Sequence, residues 1–314
     1  MAKVALLFPG QGSQEVGMGR ALQQCGGAVA DCFAEADQQV GMALSQLMFD
    51  GPEQELRLTK NCQPALLTVS IAALRLLTER TGYRADFVAG HSLGEYSAVC
   101  AAGGFDLATA VRLVRLRGEA MQQAVPVGVG AMAAILNLDP AIITEICQQA
   151  MTATGGLCAP ANYNAPGQLV VSGDRKTVEA VIERAKQRGA KRSLLLPVSA
   201  PFHCALMQPA ADVMADALQQ TALTDLSVPL VANVTAQPVR DGAQIRQLLV
   251  RQVTSAVRWE ESIRQLVQLG VELFIELGSG KVLAGLVKRI APEARIFSVS
   301  EPDHLDKIED KITA

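Results

Sequence analysis

Along this chain, short runs of β-branched and apolar residues alternate with longer stretches whose apolar positions recur every three to four residues. The short runs are Val4 to Phe8, Phe87 to Gly90, Leu230 to Asn233, Leu273 to Leu277 and Arg295 to Val299. Punctuated by Gly, Pro or Asn, each reads as a buried strand. Helical spacing covers Gln63 to Thr78, Leu107 to Gln123 and Pro209 to Gln220. Alternation of this kind predicts a parallel sheet covered by helices on both faces, so the main body is expected to be α/β.

The rhythm changes near Gly128. Ala131 to Leu138 reads as a strand, Pro140 to Thr152 as a helix, Cys158 to Tyr163 and Leu169 to Ser172 as strands, Val178 to Arg188 as a helix and Ser193 to Val198 as a strand. That order is βαββαβ, the ferredoxin-like pattern. Gly128 and Gly130 at one end and Pro197 and Pro201 at the other fence it off. The expected organisation is a large α/β domain of residues 1–127 and 199–314 with a ferredoxin-like small domain, 128–198, inserted. The charged stretch after Val299 is expected to be peripheral.

With 314 residues, 49% hydrophobic and 19% charged, the chain is neither disordered nor collagen-like. Its 28 Lys and Arg against 31 Asp and Glu leave a net charge of -3, so no global basic field points to nucleic acid. Seven cysteines without a C-x-x-C pair suggest neither a disulfide framework nor a zinc site, and fit a reducing cytoplasm. The run Val4 to Phe8 is shorter than a secretory h-region. Thr68, Ser70 and Arg75 interrupt the apolar stretch Pro64 to Leu77, so no membrane span is expected. Without secretion, the glycosylation sequon Asn233-Val234-Thr235 is idle.

The strongest chemical signal is Gly90-His91-Ser92-Leu93-Gly94, a G-x-S-x-G between the strand ending at Gly90 and the helical run Leu93 to Ala102. A nucleophile elbow needs that context. The sharp turn brings backbone close on both sides of the serine, glycines relieve the crowding, and the Ser92 hydroxyl is left exposed at a helix N-terminus. There the Leu93 N–H and the helix dipole can stabilise an oxyanion. The alternative is a glycine-flanked serine serving only as an N-cap.

Only three histidines are available as a base. His91 adjoins Ser92 and should turn away to pack against neighbouring loops, while His304 lies in the charged tail and reads as solvated. His203, just past the strand ending at Val198, reaches the sheet edge where ligands bind in open α/β folds. By elimination it is the base, the alternative being a satisfied loop histidine. Asp106, Asp139 and Asp174 look like caps or turn residues, so a Ser–His pair held by a backbone or amide oxygen fits better than a full triad.

In the helix Leu107 to Gln123, Arg117 shares the apolar face with Ala110, Leu113, Val114, Ala120 and Met121. A buried guanidinium must find a carboxylate, from the protein or from a substrate. The loop Phe8-Pro9-Gly10-Gln11-Gly12-Ser13-Gln14 reaches the same sheet edge as Ser92 and can donate a second oxyanion N–H. It fails as a dinucleotide fingerprint, because Glu15 stands where a third glycine is needed. No nucleotide motif survives, and three scattered histidines suggest no metal site.

Together, FPGQGSQ from Phe8, GHSLGEYSA from Gly90, RLRGEAMQ from Arg115 and PFH ending at His203 resemble the malonyl-CoA:acyl-carrier-protein transacylase family. Asn162-Tyr163-Asn164 before Pro166-Gly167-Gln168, and IELGSGKVLAGL from Ile275, extend the likeness over nearly the whole chain. The resemblance implies an α/β-hydrolase-like large domain with a ferredoxin-like insert. It implies Ser92 as acyl-accepting nucleophile, His203 as base, Gln252 as the residue whose backbone carbonyl holds the histidine, and the N–H groups of Gln11 and Leu93 as oxyanion hole. Arg117 would bind the free malonyl carboxylate, with Asn162 beside the substrate. Phe202 resembles the variant associated with malonyl over bulkier acyl units. Ser279 departs from the proline of the family's ELGPG stretch, and the resemblance gives it no part in the chemistry.

The implied activity is a ping-pong transfer of malonyl from malonyl-CoA, through a malonyl-serine, to the phosphopantetheine thiol of acyl carrier protein in fatty acid biosynthesis. No cofactor, metal, nucleic acid or membrane is implied, and a cytoplasmic monomer is expected. Stand-alone acyltransferases of polyketide synthesis or malonate decarboxylation, and serine thioesterases or esterases, are the alternatives.

Overall fold

The computed structural model describes residues 3–198 and 200–306. Ser199, and residues 307–314 of the charged tail, lie outside them. Among the described residues, ten strands form two sheets: β1 (Lys3–Phe8), β2 (Phe87–Gly90), β3 (Gly130–Leu136), β4 (Cys158–Ala165), β5 (Gln168–Asp174), β6 (Arg192–Leu195), β7 (Leu230–Val231), β8 (Pro238–Val239), β9 (Val271–Leu277) and β10 (Arg295–Val299). The larger sheet runs β10-β9-β1-β2-β7-β8. Its neighbours are parallel except for the antiparallel pair β7 and β8.

The central strands β1, from Val4 onward, and β2 are buried on both faces, so they are continuous apolar runs. Along β1, Val4, Leu6 and Phe8 enter the core beneath the helices Thr59–Thr81 and Leu107–Ala124, while Ala5 and Leu7 pack with Trp259, Leu283 and Val287 on the opposite side. Period-two alternation sends successive side chains to opposite layers. Removing each Leu, Val or Phe from water contributes about 1.5–3 kcal/mol.

The smaller sheet is antiparallel in the order β4-β5-β3-β6, the ferredoxin-like arrangement. Ala131, Ala133 and Ile135 of β3 face the helices Pro140–Thr154 and Arg175–Gln187. Met132, one residue out of phase, joins the core of the larger body. The same alternation therefore builds the small sheet's own core and turns its other face toward the large sheet. Tyr163 N–H to Val257 O (2.9 Å) and Val257 N–H to Ala161 O (2.8 Å) stitch the two together.

Two expectations need correction. The strand foreseen to run through Val198 ends at Leu195, which frees Leu196 and Val198 to leave the sheet. The strand foreseen through Asn233 ends at Val231, and Asn233 is fully buried instead. The charged tail also begins less peripherally than its composition suggests: Leu305 is fully buried in the main core, Asp306 pairs with Arg80 at 2.6 Å, and His304 is half-buried and accepts from the Ser300 hydroxyl (3.2 Å). One leucine among charges is enough to dock the helix Pro302–Asp306.

Crowding at the end of β2 explains the glycines of the elbow. A Cβ on Gly90 would stand 1.8 Å from the Gly94 carbonyl oxygen, and one on Gly94 would stand 2.0 Å from that of Phe8. Because these contacts are backbone on backbone, nothing can swing aside. Gly94→Ala is therefore expected to cost roughly 4 kcal/mol or more of stability, measured by urea unfolding. At Gly285 an added Cβ meets nothing within 4 Å, so Gly285→Ala is the matched control. Equal unfolding midpoints for the two variants would contradict the steric account.

Candidate active site

Ser92 sits between β2 and the helix Leu93–Ala101 with φ 52° and ψ −107°, a strained conformation for a residue with a Cβ. It occupies the N-cap position, yet its side chain makes no capping bond. The hydroxyl lies 2.7 Å from His203 Nε2, the contact that the nucleophile reading of the motif requires. Asn233 holds the turn from below, its Oδ1 accepting the Ser92 N–H (2.8 Å) and its Nδ2 donating to the Gly90 carbonyl (2.7 Å).

His203 also has a positive φ, 61°. Its Nδ1 is 2.8 Å from the backbone carbonyl of Gln252. A carbonyl only accepts, so Nδ1 carries the proton and Nε2 presents its lone pair to the serine hydroxyl. Burial, together with the Arg117 charge, pushes the His203 pKa down to about 3, against the opposing pull of the Gln252 carbonyl. The imidazole is therefore neutral and able to accept a proton throughout the physiological range.

Arg117 reaches the site through close helix packing. Gly118 presses onto the start of the helix Thr59–Thr81, where a Cβ would stand 2.7 Å from Thr59 O. Pro64 cannot donate to the Lys60 carbonyl four residues earlier, and Arg115 Nη1 fills that gap at 3.2 Å. The two helices are thereby locked with Gln63 facing Arg117. Arg117 is 1% exposed; its Nη1 donates to Gln63 Oε1 (2.9 Å) and its Nη2 to Gln252 Oε1 (2.9 Å) and Ser92 Oγ (3.2 Å). Its Cζ lies 5.6 Å from the centre of the Tyr96 ring, and Nε has no partner among the described residues. The carboxylate demanded by the sequence is not in direct contact: the guanidinium rests on neutral oxygens, and burial lowers its pKa.

The nearest acid, Glu95, is one amide removed. Gln252 Nε2 donates to Glu95 Oε2 (2.5 Å) and to the Ser92 carbonyl (2.8 Å), and Asn233 N–H donates to Glu95 Oε1 (2.8 Å). Burial raises the Glu95 pKa to about 7, opposed by these donors and by the Arg117 charge. A carboxylate on one side and a guanidinium on the other leave the Gln252 amide one orientation, with nitrogen toward Glu95 and oxygen toward Arg117.

Gln11, Leu93, Asn162, Phe202 and Met132 join Ser92, His203, Arg117 and Gln63 around a cavity of about 120 Å³. The N–H groups of Gln11 and Leu93 have no acceptor among the described residues. Asn162 lines the same wall, with its backbone bridged to Val257. His91 is turned to Asn164 Oδ1 (2.8 Å) and stacks obliquely on Trp259 at 5.5 Å, in keeping with a packing role. A larger groove of about 610 Å³ lies between Val267, Val271 and Ile290, but neither a serine nor a histidine lines it.

The structure thus brings together all seven residues singled out from the sequence: Ser92, His203, Gln252, Gln11, Leu93, Arg117 and Asn162. Sequence reasoning missed Glu95, Gln63, Tyr96 and Asn233. Asn233 ends the stretch Leu230 to Asn233 that the pattern marks as buried, whereas Glu95 sits inside the GHSLGEYSA run without any feature marking it as buried.

Residues 5–301 match the family model described as acyl transferase domain. The malonyl CoA-acyl carrier protein transacylase of Bacillus subtilis (strain 168) is 48% identical over 306 residues, covering 98% of this chain and 96% of that protein. That of Escherichia coli (strain K12) is 46% identical, covering 96% and 97%. Among solved structures, an acyl-carrier-protein-S-malonyltransferase from Bartonella henselae superposes with a TM-score of 0.96 at 47% identity, covering 99% of this chain and all of the other. A malonyl-transacylase in complex with a type II PKS acyl-carrier protein superposes with a TM-score of 0.95 at 42% identity, covering 99% and 100%. With its serine, histidine and arginine gathered around one small cavity, this chain belongs to the acyl transferase domain family.

Proposed function

We propose that this protein transfers the malonyl group from malonyl-CoA to the phosphopantetheine thiol of acyl carrier protein in fatty acid biosynthesis. The observation that carries this reading is the placing of a buried guanidinium 3.2 Å from a serine hydroxyl that is itself hydrogen-bonded to a neutral histidine. A nucleophile beside a fixed cation suits an acyl group that bears a carboxylate. The names of the relatives, malonyl transacylases acting with an acyl carrier protein, support it.

Ser92 Oγ gives its proton to His203 Nε2 and attacks the thioester carbonyl. The N–H groups of Gln11 and Leu93 receive the oxyanion, and the helix N-terminus at Leu93 adds its dipole. Collapse breaks the C–S bond; CoA leaves as the thiol with the proton from His203, and a malonyl-serine ester remains. The carrier thiol then gives its proton to His203 and attacks that ester, and Ser92 recovers its proton. In this reading malonyl-CoA is a substrate, no separate cofactor takes part, and Asn162 flanks the acyl group. Seven unpaired cysteines support a cytoplasmic setting. No helix among the described residues is long and apolar enough to cross a membrane.

Arg117 supplies the selectivity. A malonyl carboxylate can take paired N–H bonds from the guanidinium, whereas an acetyl group leaves it facing a methyl. Intact-mass measurement after brief exposure to malonyl-CoA is expected to show one malonyl adduct, absent in Ser92→Ala. Release of free malonate at the transfer rate without carrier would instead mark a hydrolase. Arg117→Ala is expected to lower kcat/KM for malonyl-CoA by roughly 100-fold or more relative to acetyl-CoA; an unchanged ratio would remove the arginine from recognition.

The depressed His203 pKa is checked by NMR of ¹³C-histidine protein, with the resonance assigned through a His203 variant. Its shift should stay flat between pH 8 and 5, since protonation is displaced to about 3. The unfolded chain takes up this proton at its ordinary value near 6.5. The contribution of His203 to stability therefore falls as pH drops from about 6.5 toward 3. A titration midpoint near 6.5 in the folded protein would contradict the burial argument.

A further inference from the structure

We infer that Ser279 is a positioning residue that fixes the loop carrying the Gln11 N–H and thereby sets the rate of acyl-enzyme formation without touching substrate. The inference rests on the reading of Gln11 as an oxyanion donor. Before the loop, the Phe8 carbonyl accepts from His91 N–H (3.0 Å); after it, Gly17 N–H donates to Met48 O (2.8 Å). Between these anchors, among the described residues, the backbone of 9–16 makes one hydrogen bond to another element, from the Ser279 hydroxyl to the Ser13 carbonyl at 2.7 Å. Donor and acceptor are both shielded from water, with Ser279 1% and Ser13 7% exposed.

The turn that presents this hydroxyl is shaped for the purpose. Gly278 and Gly280 have φ of 128° and 79°, values that only glycine adopts without strain. Gly278 lies under the ring of Pro9, where an added Cβ would stand 3.2 Å from Cγ, and Gly280 lies under Ser13, where it would stand 3.5 Å from Cβ. Gly278 N–H is in turn tied to Val299 O (3.1 Å), so the turn is anchored to β10. Both ends of the Gln11 loop thus rest on a short, fixed platform, and the Ser279 hydroxyl is the polar tether between them. Gln11 itself, at the crest, keeps its N–H free for the cavity. An oxyanion donor acts by being in place before charge develops, and losing one altogether costs about 10²–10³-fold in rate. Loosening a donor without removing it should cost a part of that.

The test compares Ser279→Ala with Ser279→Thr, which keeps a hydroxyl, using single-turnover acylation of Ser92 followed by intact mass. The donors are malonyl-CoA and the neutral thioester acetyl-CoA. Ser279→Ala is expected to acylate roughly tenfold more slowly with both donors, with KM for malonyl-CoA essentially unchanged and Ser279→Thr close to wild type. The equal effect on both donors is the signature, because the developing oxyanion is common to them while the carboxylate is not. Wild-type acylation by Ser279→Ala overturns the inference, as does slowing confined to malonyl-CoA, which locates the effect at Arg117. A lowered unfolding midpoint with unchanged rates also overturns it, by reducing Ser279 to a structural role. If wild-type protein forms no Ser92 adduct at all, the underlying reading of the site fails instead.

Discussion

One buried amide side chain holds the site in register. Gln252 is fully buried, and its backbone carbonyl fixes the histidine tautomer while its side chain reaches Ser92, Glu95 and Arg117. The Ser92 carbonyl only accepts and the Arg117 guanidinium only donates, so the amide between them has a single consistent orientation. Ser92, His203 and Arg117 come from separate segments of the chain, and this residue gives them a common reference. It also explains how a serine site works without an acid behind the histidine: a neutral carbonyl orients the ring and leaves its charge state to the surroundings.

Those surroundings are set by charges in a water-poor space. Arg117 lowers the basicity of His203 and Glu95 partly offsets Arg117, with an amide between the two ions in place of direct contact. A direct ion pair would satisfy the guanidinium and leave it little to offer a ligand. Resting on the oxygens of Gln63 and Gln252, it is held in place yet short of a full counter-charge.

Much of this was legible in the chain. The elbow could be read because its two glycines answer a local steric demand, and β1 and β2 because buried parallel strands are continuous apolar runs. Arg117 was visible as a charge in a helical apolar stripe. What stayed hidden depends on distant pieces meeting. Nothing near Glu95 says that its carboxylate is buried against Asn233 and Gln252, and the expectation of a buried strand over Leu230 to Asn233 does not say which groups the Asn233 side chain meets. Ser279 was passed over for the same reason: its partner, Ser13, lies at the other end of the chain. Gln252 could be placed only through the family resemblance, since backbone carbonyls leave no trace in side-chain identity.

Ser92 and His203, the two residues assigned to proton exchange, are also two of the non-glycine residues with backbone in the left-handed region. Such conformations cost of order 1–3 kcal/mol each and persist only when the rest of the fold imposes them. Part of the backbone tension is therefore lodged in this pair, with Asn137 and Ala236 carrying the same kind of conformation elsewhere in the fold. Glycine at either position would release that strain, but it would also delete the buried hydrogen bonds that Ser92 makes to His203 and Arg117, or that His203 makes to Gln252.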